Sequence, residues 1–341
     1  MLTIDGSMGE GGGQILRSSL ALSVITGTPI TIENIRAKRD KPGLRRQHLT
    51  AVLAAAETCG ATVDGAHVGS SNLTFAPGKL QPGNYHFDIG TAGSTTLVTQ
   101  TVLPPLMLAD TPSRLLLKGG THNVHAPPFD YLERVFVPLI NRMGPRVHVQ
   151  LERYGFFPAG GGRFSVQIKP VQILRPLALL ERGATVRREA RALVAGLAAS
   201  IADRELVVIK NRLNWNDDEL IARDLGHGYG PGNVVLLEIE SEQITEVFTG
   251  FGQRGVPAEA VAAAAAEEAS QYEAAGAPVG THLADQLILP LALAGGGSFV
   301  TMPLTLHTTT NIDVVQMFLP VNIRVTELTA GTVRVDVAKD Y

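Results

Sequence analysis

Residues 85–118 read YHFDIGTAGSTTLVTQTVLPPLMLADTPSRLLLK, and their patterning decides the fold. Tyr85–Ile89 alternates as a strand, Ser94–Leu108 carries the spacing of a buried helix, and Arg114–Lys118 is again a strand. The run Ile89–Ala109 carries no charge. Thr95, Thr96, Thr99, Gln100 and the Pro104-Pro105 pair make it poor material for a membrane span, so a core helix is expected. Downstream, Phe129–Met143 reads as a second helix, and Arg146–Leu151 with Gly162–Ile168 as a strand pair. The unit is strand, helix, strand, helix, strand, strand.

The same order appears on both sides. Upstream, Leu2–Ile4 is a strand, and Gly13–Ile25 carries Leu16, Leu20 and Val24 at helical spacing. Pro29–Ile35 is the next strand, Leu44–Cys59 a helix, and Thr62–Phe75 a turn-linked strand pair. The third pass begins at Leu177–Glu181 and resumes with a helix at Leu283–Leu293, a strand at Phe299–Leu304, a helix at Thr309–Phe318 and the pair Asn322–Leu328 and Thr332–Val337. Between its first strand and the rest lie strands at Ala192–Leu197, Val234–Ile239 and Thr245–Phe251 and an Ala-rich helix at Pro257–Ala274. An α/β protein is predicted, with a large domain of three βαβαββ repeats (residues 1–182 and 281–341). A smaller α/β domain, residues 183–280, is inserted in the third repeat, as a surface loop tolerates.

Length agrees with two units, because 341 residues exceed the ~250–300 at which one core stops growing. With 45% hydrophobic and 18% charged residues the chain can build cores, which excludes wholesale disorder. A net charge of −3 excludes a uniformly basic nucleic-acid coat but leaves room for a local basic site. The single Cys59 cannot form an intrachain disulfide, and Met1–Gly13 lacks the basic and apolar regions of a signal peptide. A cytoplasmic protein is expected, with no membrane partner; a homo-oligomer is left open.

Generic nucleotide signatures fail. Gly78-Lys79 is followed by Leu80, which breaks the P-loop pattern, and the turn at Gly9–Gly13 lacks the last glycine of a dinucleotide fingerprint. That turn nevertheless ends a strand and opens a helix, leaving backbone N–H groups free for an anion. Glu10 within it would repel phosphate unless a divalent cation lay between them. The loop Arg36–Gln47 carries six basic residues against one acid, around a Pro42-Gly43 turn. Arginines there can grip phosphate with two N–H groups at once. Aromatic residues are only 5%, too few for long single-strand stacking, so a short nucleic-acid end fits better than a long tract. His307, in Leu306-His-Thr-Thr-Thr-Asn311, stands just before a predicted helix, whose positive dipole end favours the neutral, nucleophilic imidazole. His122 and His125 have metal-like spacing without a clear third ligand.

Six separated motifs occur in order: Gly9-Glu-Gly-Gly-Gly-Gln-Ile-Leu-Arg17, Lys41-Pro-Gly-Leu with Gln47-His48-Leu49, Gly155-Phe-Phe-Pro-Ala-Gly-Gly-Gly162, Gly230-Pro-Gly-Asn233, Leu283-Ala-Asp-Gln286, and His307 with Thr310-Asn311-Ile312. Together they resemble the RNA 3′-terminal phosphate cyclases, from Leu2 to about Val337. The resemblance implies the three-repeat fold with an inserted domain, and ATP-dependent conversion of an RNA 3′-phosphate to a 2′,3′-cyclic phosphodiester. It implies His307 as the residue that carries AMP, Glu10 as the Mg²⁺- or Mn²⁺-side carboxylate, and Arg17, Arg36, Arg39 and Gln47 as the phosphate and RNA grip. Gln100, Pro127, His282, Asp285 and Gln286 become nucleotide-pocket residues. Two positions depart from the pattern: His282 stands where some members have tyrosine, and Tyr154 where a basic residue is common. A non-catalytic cyclase-like binding protein and an enolpyruvyl transferase are the rival readings. His307 with Glu10 and the arginines opposes the first, and the inserted segment the second.

Overall fold

A computed structural model describes residues 1–329 and 331–340. The chain is a mixed α/β protein, as the periodicity predicts.

The first sheet holds β1 (Leu2–Asp5), β2 (Ile30–Glu33), β3 (Thr62–Asp64) and β4 (Leu73–Ala76), in spatial order β1-β2-β4-β3. Its helices are α1 (Gly13–Thr26) and α2 (Arg46–Cys59), each stopped by a glycine at positive φ, Gly27 and Gly60. The second sheet holds β5 (Asn84–Asp88), β6 (Ser113–Gly119), β7 (Arg146–Arg153) and β8 (Gly162–Lys169), in order β5-β6-β8-β7. Between β5 and β6 runs α3 (Thr95–Met107), whose N-cap Ser94 side chain accepts from the Leu97 N–H. The segment predicted as one helix over Phe129–Met143 is instead α4 (Phe129–Tyr131), a π-helical turn (Leu132–Phe136) and α5 (Val137–Arg142).

After β9 (Leu177–Leu179) the chain forms a further sheet: β10 (Thr185–Ala195), β11 (Leu220–Asp224), β12 (Gly232–Ser241) and β13 (Thr245–Phe251), ordered β11-β10-β12-β13. α6 (Ser200–Leu213) and α7 (Ala258–Ala275) pack on it. The chain then returns through α8 (Thr281–Ala294), β14 (Gly296–Thr301), α9 (Leu306–Phe318), β15 (Val321–Thr329) and β16 (Thr332–Lys339). These last strands join β9 in the order β15-β16-β14-β9. In the sheets that start with β1, β5 and β9, the first two strands are parallel and the other two neighbours antiparallel.

Alternation along β10 and β12 explains how their sheet is held. Ala190, Ala192, Val194, Val235 and Leu237 face one core with α6 and α7, while Leu193, Ala195, Val234 and Leu236 join the main core. The C-terminal half of β10 and most of β12 are therefore buried on both faces. α6 and β11 are absent from the sequence reading: α6 carries Ala202, Leu206, Ile209 and Leu213 at helical spacing with the fully buried Glu205 among them, and β11 is largely exposed. α1 packs against α2, α3 and α9, and α8 against α9, which brings several helix starts together. Among the described residues no helix is long and apolar enough to cross a membrane.

Candidate active site

The glycine-rich turn is built to touch α9. Gly9 and Gly11 have φ of 49° and 62°. A Cβ on Gly9 would lie 2.0 Å from Thr310 Oγ1, so both backbone angle and space demand glycine there. The Glu10 N–H donates to the same Thr310 hydroxyl at 3.0 Å, and that hydroxyl donates to the Leu306 carbonyl at 2.6 Å. These contacts bring the Glu10 carboxylate to 3.6 Å from His307 Nε2. Gly12, the N-cap of α1, supplies no side-chain acceptor, leaving the first-turn N–H groups to other partners.

His307 lies inside the first turn of α9 rather than before it, because the helix starts at Leu306, three residues earlier than the apolar pattern suggests. Its ring meets a chain of side chains from α1 and α8. His307 Nδ1 is 3.0 Å from Gln14 Oε1, and Gln14 Nε2 donates to the Asp285 carboxylate. A carboxylate only accepts, so the Gln14 amide is oriented with its NH₂ toward Asp285 and its carbonyl toward the ring. His307 Nδ1 therefore carries the proton, and the Nε2 lone pair is left free. Burial lowers the pKa of His307, aided by Arg17 and Arg39 and opposed by Asp285. Burial raises that of Asp285.

Arg17 follows Gln14 by three positions on α1 and lies near Asp285; burial lowers its pKa to about 10, so it stays charged at neutral pH. Asn311 Nδ2 donates to the Asp285 carbonyl at 2.9 Å, and Ser18 Oγ donates to Asn311 Oδ1 at 2.8 Å, locking α1, α8 and α9 together. A cavity of about 60 Å³ opens beside them, with Gln14, Arg17, Gln100, Asp285, Gln286 and Asn311 in its wall.

The other predicted residues fall around this centre. Arg39 pairs with Glu10. Arg36, at φ 55°, turns its guanidinium onto its own loop, donating to the Lys41 and Gly43 carbonyls at 2.6 and 3.0 Å. Gln47 Oε1 accepts from the Ser94 N–H at 3.0 Å and borders a second cavity. The Pro127 carbonyl accepts from Thr96 Oγ1 at 2.7 Å near the start of α3, outside the wall of the 60 Å³ cavity. His282 is exposed, 2.8 Å from Glu268, which raises its pKa. His122 is buried on Asp130 at 2.8 Å while His125 is exposed, and no cluster of metal-ligating side chains occurs among the described residues.

A model of the RNA 3′-terminal phosphate cyclase family matches residues 8–325. The chain belongs to this family. It is 53% identical to the RNA 3′-terminal phosphate cyclase of Koribacter versatilis, over 96% of this chain and 92% of that one. The proteins of that name from Ectopseudomonas mendocina and Ralstonia nicotianae are 50% and 52% identical, each over 98% of this chain and 97% of their own.

Two residues of this cyclase-family site escape the sequence reading as individuals. Gln14 is an ordinary polar helix residue until the fold sets it between His307 and Asp285. Its signal was an amide placed directly after the glycine turn. His48 is buried, with Nδ1 accepting from the Arg45 N–H at 3.1 Å and its ring against Gly13. Burial and three arginines hold its pKa at about 3, so it is neutral packing rather than a phosphate contact. Tyr154, where a basic residue is common, stacks on Phe156 and meets Tyr229 edge-on.

Proposed function

We propose that the protein converts an RNA 3′-terminal phosphate to a 2′,3′-cyclic phosphodiester at the expense of ATP, through a histidyl-AMP and an RNA-adenylate. The observation that carries the reading is the chain from Asp285 through Gln14 to His307, which leaves one ring nitrogen of a neutral imidazole as a nucleophile. Membership of the cyclase family supplies the substrate class.

His307 Nε2 attacks the α-phosphorus of ATP; a P–N bond forms, a P–O bond breaks, and pyrophosphate leaves. Gln14 keeps the Nδ1 proton and spreads the positive charge that develops on the ring toward Asp285. An oxygen of the RNA 3′-phosphate then attacks the same phosphorus, the P–N bond breaks, and the imidazole is regenerated. Finally the 2′-hydroxyl attacks the 3′-phosphorus, its proton is lost, and AMP departs as the ring closes. This last step is intramolecular, with the advantage in effective concentration that such geometry brings. Arg17 and Arg39 would neutralise the phosphates throughout.

Glu10 fits a divalent cation: its Oε2 is buried without a partner, and one carboxylate with substrate phosphates is the donor set that Mg²⁺ prefers. The ion would screen the phosphates of ATP. Gln100, Asp285 and Gln286 would contact the nucleotide, with His282 and Pro127 farther out. We assign Gln47 to the RNA side, and residues 183–280 to a separate inserted unit.

The reading is tested by incubation with α-labelled ATP and Mg²⁺ or Mn²⁺, alone and with an RNA 3′-phosphate. Label on the protein, followed by an RNA end resistant to phosphatase, is expected. An RNA unchanged by ATP under every divalent metal would contradict it.

A further inference from the structure

The second cavity, about 370 Å³, is the larger one, within the ~300–1,000 Å³ range of small-molecule sites. It lies where the start of α3 meets the loop after β6 and the loop between β7 and β8, with Gln47, Ser94, Asn123, His125, Phe157 and Pro158 in its wall. None of the lining residues is Lys, Arg, Asp or Glu. A phosphate would find no lysine or arginine here, whereas the neutral part of a nucleotide would leave no charge stranded.

Phe157 supplies the face such a group needs. Its side chain is 72% exposed, while its neighbour Phe156 is 2% exposed in the core. Packing therefore accounts for Phe156 and not for Phe157. The polar groups suit a base edge or a ribose. Gln47 has its Oε1 occupied by the Ser94 N–H, so its amide NH₂ remains to donate. Asn123 donates to the Ala92 carbonyl at 2.5 Å, which fixes its side chain in the cavity wall.

The cavity is also tied to the reaction centre. Gln47 and His48 are consecutive at the start of α2: the first lines the cavity, and the second lies against Gly13, the residue before Gln14. A nucleic-acid end whose phosphate reaches the arginine side would thus have a neutral compartment next to it.

Resting on the cyclase reading above, we propose that this cavity is the subsite for the 3′-terminal nucleoside of the RNA, with its base stacked on Phe157. ATP carries a nucleobase too, so the test separates the two sources. Two RNAs ending in 3′-phosphate are compared, one ordinary and one whose last nucleotide is abasic, with wild type, Phe157→Ala and Phe157→Tyr.

The wild type should show a KM about tenfold higher for the abasic RNA, the scale of one base–aromatic stack. Phe157→Ala should raise KM about tenfold for the ordinary RNA, leave the abasic value unchanged, and keep the KM for ATP in self-labelling. Phe157→Tyr should restore the wild-type value for the ordinary RNA. Equal shifts for both RNAs, no shift for either, or a raised KM for ATP would each overturn the assignment. Should the protein fail to label itself with AMP, the cyclase reading fails. Fluorescence anisotropy of the same two RNAs without ATP then decides the subsite by the same pattern in Kd.

Discussion

Gln14 and His307 stand 293 positions apart in the chain, and their side chains meet with His307 Nδ1 3.0 Å from Gln14 Oε1. This contact, oriented by Asp285, chooses which ring nitrogen keeps its lone pair. The reactivity of His307 is thus held by an amide from α1 rather than by the dipole of α9 alone.

Replacing Gln14 with Leu should slow transfer of AMP to the protein by roughly a hundredfold, the lower end of what a positioned proton-handling group contributes. Single-turnover labelling with α-labelled ATP checks this, alongside a thermal melt that should be close to wild type. An unchanged rate would remove Gln14 from the account.

Labelling should follow pH through the neutral form of His307. Because burial with Arg17 and Arg39 lowers its pKa, the rate should rise with pH and level off below the ordinary imidazole value of about 6.5. Arg39→Ala removes a nearby positive charge and frees the Glu10 carboxylate, so the acid limb should move to higher pH. A midpoint that stays or falls would contradict this electrostatic reading.

Arg36 and Arg39 should separate cleanly. Arg36→Ala strips the Lys41 and Gly43 carbonyls of a charged donor, and should cost about 1–3 kcal/mol of stability. Arg39→Ala should leave the melt nearly unchanged while lowering activity, since its partner Glu10 faces His307. Equal melts with equal activity losses would favour one diffuse basic face.

The elements that pack on one face were legible in the sequence. Leu16, Leu20 and Val24 mark α1, and the alternation in Tyr85–Ile89 marks β5. α6 was legible in its apolar stripe Ala202, Leu206, Ile209 and Leu213 but was not read, and only Glu205, buried on Asn233, and the exposed Val207 depart from the usual sorting of charge and apolar surface. The Gly9 turn and His307 could be singled out by composition. Gln14 could not, since its role depends on Asp285 and His307, which reach it only when α8 and α9 close on α1. The π-helical turn at Leu132–Phe136 has no periodic signature at all.

Two buried groups should bend the stability profile in opposite directions. Glu246, 2% exposed and accepting the Gly280 N–H at 2.6 Å, has its pKa raised by burial to about 8. From pH 4.5 to 8 the folded form holds the extra proton, so this term loses stability as pH rises. His48, held at about 3, stays unprotonated when folded while the unfolded chain takes up a proton below about 6.5, so its term loses stability as pH falls. Each slope is at most about 1.4 kcal/mol per pH unit. Glu246→Gln should therefore gain relative stability toward pH 8, and His48→Gln toward acid. Denaturant melts across pH 4–9 measure both, and parallel profiles for wild type and variants would refute the assignments.

The central claim is that His307 carries AMP. Wild type and His307→Ala are incubated with α-labelled ATP and Mg²⁺, denatured, and run on a gel, with the label then challenged by acid and by base. Label on the wild type through an acid-labile, base-stable bond, and none on His307→Ala, is the predicted result; label that persists on His307→Ala would contradict it.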